Sequence, residues 1–301
     1  MGILVTGAGG FIGRELMEII PDAKAVSRNS LSQTFKNSIQ IPTIDENTNW
    51  QGAFDDVSTI IHLAGLAHSH SSSLADYYSI NVKGTLHLAR EAVKAGVKRF
   101  VFVSSIGVNG KSTTNKPPFS HSSKEFPESP YAESKYEAEK GLRHIAEKSG
   151  LELVVVRPTL VYGVNAPGNF GALVKALKFL PFSPFGSIDN RRDFISVQNL
   201  ADLLVTCANH PKAPGNTFLA SDCSTVSLRE FIDYISFGIG RNIIQLPIPE
   251  KLMRLVGDCL GKRALVEQLL DDLEVDATNL KEVLDWTPPF SMKQAMSKLS
   301  K

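Results

Sequence analysis

The sequence predicts an α/β protein with a doubly wound parallel sheet and a smaller C-terminal lobe. In the first half of the chain, short apolar segments alternate with amphipathic ones, as strands and their covering helices do in such sheets. The predicted strands are Ile3–Thr6, Lys24–Ser27, Thr59–Leu63, Phe100–Ser104 and Leu153–Arg157. The predicted helices are Gly13–Ile20, Tyr77–Ala95 and Tyr131–Ser149.

The pattern changes after Pro158. Prolines and glycines cluster at 163–186 and 211–215, and the regular alternation ends. We therefore expect a sheet domain over residues 1–160 and a second lobe that takes most of 161–301. The segment 194–207 is apolar enough to return to the first domain, so the boundary between the two is not a clean cut.

Composition excludes several classes of protein. The 301 residues are 43% hydrophobic and 21% charged, with a net charge of +1, which gives no reason to expect a nucleic-acid partner. No apolar run reaches the roughly 18 residues needed to span a bilayer, and the first strand begins within two residues. We therefore expect a cytoplasmic protein without a signal peptide or a membrane partner. Its three cysteines, Cys207, Cys223 and Cys259, should be reduced.

A glycine-rich turn follows the first strand, and an amphipathic helix follows the turn. Its sequence is Gly7-Ala8-Gly9-Gly10-Phe11-Ile12-Gly13. Gly7 allows a tight turn, Gly10 lets a pyrophosphate approach, and Gly13 lets the helix pack close to the strand. Free N–H groups and the positive end of a helix favour a phosphate there. Taken alone, the spacing also fits a purely structural turn.

Ligands of an open parallel sheet bind beyond the carboxyl ends of its strands. After the second strand, Ser27 and Arg28 stand where an acidic residue would bond an adenosine ribose. A hydroxyl and a guanidinium suit a 2′-phosphate, which favours NADP over NAD, although Arg28 fits a solvated surface charge equally well. After the third strand, the backbone of Leu63-Ala64-Gly65 is open to a flat ring or a pyrophosphate.

The histidines give weaker signals than the glycines. His62 is expected to be a packed, hydrogen-bonded core residue and not an acid–base group. His68 and His70, in a serine-rich loop, are two ligands where a metal site needs three or four. We therefore expect no metal.

A tyrosine and a lysine four residues apart begin the helix after Pro130. Tyr131 and Lys135 share a helix face, and the fourth strand ends in the hydroxyls of Ser104 and Ser105. For acid–base catalysis near neutral pH, the pKa of a phenol must fall by some three units from its ordinary ~10. That shift corresponds to about 4 kcal/mol of stabilisation of the phenolate, whereas an exposed ion pair supplies ~1 kcal/mol. The pair would therefore need a dry cleft, a cationic nicotinamide ring and a hydrogen bond from Ser105. A tyrosine and a lysine at this spacing, without any other motif, are also common on solvated helices.

Together these motifs resemble the extended short-chain dehydrogenase/reductase family, in its nucleotide-sugar epimerase/dehydratase branch. Further matches are the segments 81–85 (NVKGT), 157–163 (RPTLVYG) and 192–202 (RDFISVQNLAD). The resemblance covers nearly the whole chain. It implies an NAD(P)-binding, Rossmann-type domain over 1–160 and a nucleotide-sugar-binding lobe over most of 161–301.

The resemblance also implies roles for individual residues. Ser105, Tyr131 and Lys135 match the catalytic triad: Tyr131 would move the proton of a sugar hydroxyl, and Lys135 would lower its pKa. The implied substrate contacts are Ser105, Asn169 and Arg192, the last for the diphosphate. The implied cofactor contacts are Gly7, Gly10, Phe11, Ile12, Gly13, Ser27, Arg28, Asp45, Leu63, Ala64, Gly65, Asn81, Tyr131, Lys135 and Pro158.

The function most strongly implied is a UDP-sugar 4-epimerase, similar to UDP-glucose 4-epimerases, in surface-polysaccharide biosynthesis. The alternatives are an NADPH-dependent 4-reductase of a UDP-4-keto-6-deoxy-N-acetylhexosamine and a non-catalytic, NADP-binding regulatory relative. Ile106 and Gly107 stand where 4,6-dehydratases carry an acidic pair. Leu160 replaces an asparagine that holds substrate in many relatives, so the sugar stays open. The family resemblance also suggests a homodimer through the helices at 77–95 and 131–149.

Overall fold

The computed structural model of the protein describes residues 2–30, 33–67, 73–259 and 261–300. The strands are β1 (Gly2–Thr6), β2 (Lys24–Ser27), β3 (Ser38–Gln40), β4 (Val57–His62), β5 (Arg99–Val103), β6 (Glu152–Pro158), β7 (Leu160–Tyr162), β8 (Phe182–Ser183), β9 (Phe194–Ser196), β10 (Thr217–Ala220) and β11 (Ile244–Gln245). The helices are α1 (Phe11–Ile19), α2 (Leu74–Tyr77), α3 (Thr85–Lys94), α4 (Pro130–Ser149), α5 (Gly168–Phe179), α6 (Val197–Asn209), α7 (Leu228–Gly238), α8 (Glu250–Cys259), α9 (Arg263–Leu270), α10 (Thr278–Leu284) and α11 (Met292–Met296). A π-helical segment, Tyr78–Gly84, joins α2 to α3.

Seven parallel strands form one sheet in the order β10-β6-β5-β4-β1-β2-β3, which confirms the predicted fold class. The five predicted strands all form, each within two residues of its expected bounds. The strand order reverses between β1 and β4. A crevice at the carboxyl ends of these two strands is the ordinary ligand site of such a sheet.

Helices cover both faces of the sheet. On one face, apolar residues of α1, α6 and α10 share a core with the strands, including Leu16, Leu204 and Leu280. On the other face, α3 and α4 supply Leu88 and Leu142. Most of the segment 194–207 lies in α6, so it reaches the sheet as a covering helix and not as a strand of it.

The second lobe has its own aromatic core. Phe231 of α7 stacks on Phe194 with 3.9 Å between ring centroids, and Phe170 and Tyr162 pack beside them. The short strand pairs β7–β9 and β8–β11 also belong to this half of the chain. The same half returns β10 to the edge of the main sheet, which the sequence did not predict.

Among the described residues, no helix has both the length and the apolar character needed to cross a bilayer.

Candidate active site

The turn after β1 leaves room for a ligand against bare backbone. Gly7 has a φ of +75°, and a Cβ built there would lie 2.9 Å from the backbone nitrogen of Ala64. A Cβ on Gly13 would lie 2.3 Å from the carbonyl oxygen of Gly7, so only glycine lets α1 pack this close. The N-cap of α1 is Gly10, which supplies no side-chain bond, and the first turn holds no acid. The first N–H groups of α1 are therefore free of any side-chain cap.

This turn forms part of a groove of about 400 Å³ at the switch point of the sheet. Seven of the predicted cofactor residues line the groove: Gly7, Gly10, Ser27, Arg28, Leu63, Ala64 and Gly65. Ile41–Ile44 and Ile80 supply apolar walls. The glycine backbone and the apolar walls fit a dinucleotide, with its pyrophosphate at the helix end.

Other predicted cofactor residues lie outside the lining of this groove. Phe11 points toward the second lobe and packs against its core. Oδ1 of Asp45 accepts a hydrogen bond from the backbone nitrogen of Asn47, so this carboxylate stabilises a local turn. Ile12 packs into the core beneath the sheet, Gly13 is buried, and Pro158 ends β6.

Among the described residues, two arginines and no carboxylate line the groove near the end of β2. Arg28 is exposed, and the structure gives its guanidinium no partner within the described ranges. Arg14, which the sequence analysis did not single out, also lines the groove and donates from Nε to the carbonyl oxygen of Gly9 at 3.0 Å. The signal that could have identified Arg14 is its place in the first turn of the helix after the glycines. Both guanidiniums suit a phosphate group.

His62 is a structural residue, in line with the expectation. Its two ring nitrogens bond the hydroxyls of Thr6 and Thr85, at 2.7 and 2.9 Å. Complete burial, with a smaller contribution from Lys135, lowers the pKa of His62 to about 3. The ring is therefore neutral at physiological pH and ties β4 to β1 and α3. His68 and His70, considered above as metal ligands, lie outside the described residues.

Asn81 connects the groove to the helix of the tyrosine and lysine. Its amide oxygen accepts from the backbone nitrogen of Leu66, and its amide nitrogen donates to Leu66 and to the hydroxyl of Ser134 in α4. A Cβ on Gly65 would lie 2.9 Å from Asn81 Oδ1 and 3.3 Å from Lys135 Nζ. Both amide protons of Asn81 are therefore used within the protein, and the residue positions the loop after β4.

Of the two serines after β5, the structure separates one from the other. Ser104 is buried and donates to Glu139 Oε1 at 2.5 Å. Glu139 is also buried and forms a bidentate ion pair with Arg157, whose Nε donates to Oε1 at 2.9 Å and whose Nη2 donates to Oε2 at 2.6 Å. Ser105 is partly exposed and its hydroxyl accepts from the backbone nitrogen of Gly107. Ser105 is thus the hydroxyl left for a ligand, and Ser104 is fixed by a charged pair that the sequence analysis missed.

Ser105 lies close to the start of α4. A Cβ on Gly107 would lie 3.4 Å from both Ser105 Oγ and the Cβ of Ala132, the neighbour of Tyr131. The helix begins with Ser129 as N-cap, whose hydroxyl accepts from the Ala132 nitrogen, and with Pro130 in the first turn. This cap fixes where Tyr131 begins its helical turn.

Lys135 is a buried cation at the edge of the groove. Its Nζ donates to the carbonyl oxygen of Val103 at 3.0 Å and lies 4.8 Å from the ring centroid of Phe102. Burial lowers the pKa of Lys135 to about 8, while the charge of Glu139 opposes that shift. The side chain is therefore still mainly protonated at pH 7.

Tyr131 differs from the expectation in its acidity. Burial, with a smaller effect of Tyr77, raises the pKa of Tyr131 to about 12. The ring of Tyr77 lies edge-on at 6.4 Å. Lys135 does not lower this pKa in the protein alone, and its ammonium donates to the carbonyl oxygen of Val103. The phenol is a proton donor at pH 7.

Arg192 is a buried guanidinium in the second lobe. It donates to the carbonyl oxygen of Asp271 at 2.5 Å and lies 6.0 Å from the ring of Phe194. Burial lowers its pKa to about 10, and within the described ranges no carboxylate forms an ion pair with it. Such a cation is costly unless an anion joins it. Asn169, at the start of α5, donates to Gln268 at 3.2 Å, and the described contacts join neither residue to Ser105 or Tyr131.

Known proteins are similar to this chain along most of its length. The model of the NAD dependent epimerase/dehydratase family matches residues 3–220. A UDP-glucose 4-epimerase of Vibrio cholerae is 36% identical over 303 residues, covering 97% of this chain and 92% of the relative. A dTDP-4-dehydro-6-deoxyglucose reductase of Escherichia coli is 25% identical and covers 100% of this chain and 96% of the relative. The crystal structure of a Bacillus cereus UDP-N-acetylglucosamine 4-epimerase has a TM-score of 0.81 at 17% identity, covering 100% and 98%.

The chain belongs to the NAD dependent epimerase/dehydratase family, which confirms the resemblance read from its motifs. It is therefore an NAD(P)-dependent sugar epimerase or reductase, and solved chains of this fold hold NAD or NADPH.

Proposed function

We propose that the protein interconverts two configurations at C4 of a UDP-hexose. One observation carries the proposal. Lys135 and Asn81 both lie next to Gly65 at the edge of the glycine groove, and Tyr131 lies one turn before Lys135 on α4. The relative from Vibrio cholerae, a UDP-glucose 4-epimerase, supports the choice of reaction and of UDP-sugar.

In this proposal each group of the chain has one task. Tyr131 moves the proton of the C4 hydroxyl, and Ser105 forms a hydrogen bond with the oxygen that reacts. Lys135 binds the nicotinamide ribose of the dinucleotide. When bound, the nicotinamide supplies hydride transfer and, in its oxidised form, a positive charge. Arg192 contributes a buried cation for the substrate diphosphate, because it lacks a carboxylate of its own among the described residues.

The acidity of Tyr131 shows how much this reaction demands. Moving its pKa from about 12 to near 7 requires roughly 7 kcal/mol of differential stabilisation of the phenolate. A single partly solvated ion pair gives ~1 kcal/mol or less. Epimerisation, which begins by removing a proton, therefore needs the cationic ring beside the phenol in addition to Lys135.

A second candidate is an NADPH-dependent 4-ketoreductase acting on a UDP-4-keto sugar. Two observations favour it. Arg14 and Arg28 line the groove near the end of β2, and no carboxylate joins them among the described lining residues, which suits a 2′-phosphate. A protonated Tyr131 is also the state that donates to a ketone oxygen, with which a reduction can begin. The third possibility, a non-catalytic NADP-binding relative, is not favoured by the conjunction of Ser105, Tyr131 and Lys135.

One experiment separates the two reactions. The purified protein is denatured and the released dinucleotide identified, and UDP-hexoses are then assayed with and without added NADPH. Epimerisation predicts a retained dinucleotide and turnover without added reductant. Reduction predicts NADPH consumed in equal amount to the 4-keto sugar. Absence of both activities across UDP-glucose, UDP-N-acetylglucosamine and their 4-keto derivatives would overturn both proposals.

The homodimer, the cellular location and the role in surface-polysaccharide synthesis are further predictions. A homodimer through the surfaces of α3 and α4 predicts twice the chain mass in sedimentation at micromolar concentration, and a clean monomer would refute it. Fractionation of cells that express the chain would test the expected cytoplasmic location and the role in surface polysaccharide.

A further inference from the structure

Exposed apolar side chains recur in three segments of the second lobe. Phe182 of β8 and Ile244 of β11 are direct register partners, and both are exposed, by 45% and 61%. Phe179, at the end of α5, is 75% exposed. We define the apolar patch as the exposed apolar side chains of residues 179–182, 244–246 and 252–256.

Backbone hydrogen bonds hold the first two of these segments together. Ile244 donates to the carbonyl oxygen of Pro181 at 2.9 Å, and Leu246 donates to that of Ser183 at 2.8 Å. Arg241 donates from its guanidinium to the carbonyl oxygen of Lys178, beside the end of α5. The patch therefore sits on a hydrogen-bonded frame and is not a set of loose loop residues.

The third segment is the outer face of α8. Leu252, Leu255 and Val256 are spaced as i, i+3 and i+4 and are exposed by 48% to 59%, so they form one stripe. The opposite side of α8 packs on α9, because a Cβ on Gly257 would lie 2.6 Å from a methyl of Val266. The helix is thus attached by its inner face and presents its apolar face outward, as helices that lie in a lipid interface do.

The segments that carry the apolar patch are rich in basic residues. Residues 172–186 and 241–263 contain seven lysines and arginines (Lys175, Lys178, Arg241, Lys251, Arg254, Lys262 and Arg263) and two acids (Glu250 and Asp258). Arg254 pairs with Glu250 and Asp271, and Arg263 pairs with Asp258 and Glu267. The other five cations are exposed and form no ion pair among the described residues. An exposed apolar surface with a basic rim matches a negatively charged apolar partner.

We propose that this surface docks the protein on an anionic lipid bilayer. The apolar side chains would enter the acyl boundary, and the surrounding lysines and arginines would face lipid phosphates. A second copy of the chain fits poorly, because a two-fold contact through the same surface would bring these five unpaired cations against the same five of the other copy. This proposal departs from the expectation of no membrane partner, which rested on the lack of a membrane-spanning apolar run. A helix that lies on the bilayer surface needs no such length.

The docking surface is separate from the candidate active site. None of its residues lines the glycine groove or contacts Ser105, Tyr131 or Lys135 among the described contacts. It connects with the substrate lobe through α5, which begins at Gly168 beside Asn169 and ends at Phe179. The helix is 12 residues long, so its two ends lie roughly 18 Å apart. A docked protein would hold its substrate lobe near the bilayer surface.

Vesicle flotation of the full chain tests the proposal. Vesicles of phosphatidylethanolamine with phosphatidylglycerol are compared with vesicles of phosphatidylcholine alone, each at low and high salt. We expect flotation with the anionic vesicles at low salt, weaker flotation at high salt, and little with the neutral ones. The double variant Lys175→Gln/Lys178→Gln should bind about 25-fold more weakly, since each cation near an anionic surface contributes about fivefold.

Two further variants test the apolar contribution. Leu255→Glu should weaken binding about tenfold or more, because its side chain can no longer enter the lipid. Matched controls on the sheet domain are Ile19→Glu, for an exposed apolar residue, and Arg90→Gln/Lys98→Gln, for two exposed cations. The controls should float like the original protein. Unchanged thermal unfolding and dinucleotide binding would show that the Lys175/Lys178 variant is folded.

Three results would overturn the proposal. The first is failure of the original protein to float with anionic vesicles at low salt. The second is flotation of the patch variants equal to that of the controls. The third is self-association in sedimentation that Leu255→Glu abolishes, which would assign the surface to a second copy.

Discussion

Replacing Arg28 should change which dinucleotide the protein prefers. Arg28 is exposed in the groove beyond β2, and within the described ranges it has no ion pair to lose when a phosphate arrives. The structure therefore predicts that Arg28→Ala weakens NADPH and leaves NADH nearly unchanged. Arg28→Asp should go further, because a carboxylate repels the 2′-phosphate and accepts a hydrogen bond from the ribose 2′-hydroxyl of NADH.

The size of the effect follows from exposure. A hydrogen bond to a charged group contributes about 1.5–3 kcal/mol, and solvent around Arg28 places it at the lower end. Loss of about 1.5 kcal/mol corresponds to roughly a tenfold weaker NADPH affinity for Arg28→Ala. Arg14 remains beside the site and keeps part of the attraction. For Arg28→Asp, we expect the ratio of NADPH to NADH affinity to fall by about 100-fold.

Titration calorimetry of the dinucleotide-free protein with NADPH and NADH measures both affinities. Arg90→Ala removes an equally exposed cation from α3, outside the groove lining, and serves as the control. If Arg28→Ala leaves the affinity ratio within twofold of the original protein, Arg28 does not face a 2′-phosphate. The argument from the missing acid would then be refuted.

Three other substitutions test the site and its support. Tyr131→Phe should lower kcat by ~1000-fold and change dinucleotide affinity less than threefold, because it removes the proton donor and little else; most of the activity surviving would show the triad assignment to be wrong. Lys135→Met should abolish activity yet raise the free energy of unfolding at pH 7 by up to about 3 kcal/mol. Burial lowers the pKa of Lys135 from 10.5 to about 8, so the unfolded chain binds more protons between these values and stability rises with pH there; denaturant titrations at several pH values should show this rise flattened in the variant. Glu139→Gln should cost about 1–3 kcal/mol, seen as a lower Tm, because the buried Arg157 then keeps only the partly exposed Glu125 as a charged partner, whereas Lys140→Ala, which breaks an exposed pair, should cost less than about 1 kcal/mol.

The fold was predictable where the sequence pattern is long and regular. The five apolar strands and the capped helix at 130–149 carry strong signals, and all of them form. Ser38–Gln40 and Thr217–Ala220 escaped prediction. They are short, and both lie at the edges of the sheet, where no second neighbouring strand demands an apolar pattern.

The parts of the candidate site that could be predicted are those whose residues all belong to one short sequence motif. The spacing of Gly7, Gly10 and Gly13 predicts a phosphate-binding turn; the structure places Gly7 and Gly10 in the lining of the groove and packs Gly13 against Gly7. The roles of Ser104 and Glu139 depend on a partner at the end of β6, Arg157, which is distant in sequence. A pattern within a single segment contains no information about such a partner.

By itself, the sequence determined the parallel sheet, the glycine turn and the order of serine, tyrosine and lysine along the chain, because these depend on local spacing and on the period of apolar residues. Only the tertiary structure decided which serine stays free, that the pKa of Tyr131 is raised in the protein alone, and that Arg192 is a buried cation. It also left Phe179, Ile244 and Leu255 exposed on the surface of the second lobe. Burial and charge pairing arise from segments far apart in the chain, and those distances are fixed only when the chain is folded.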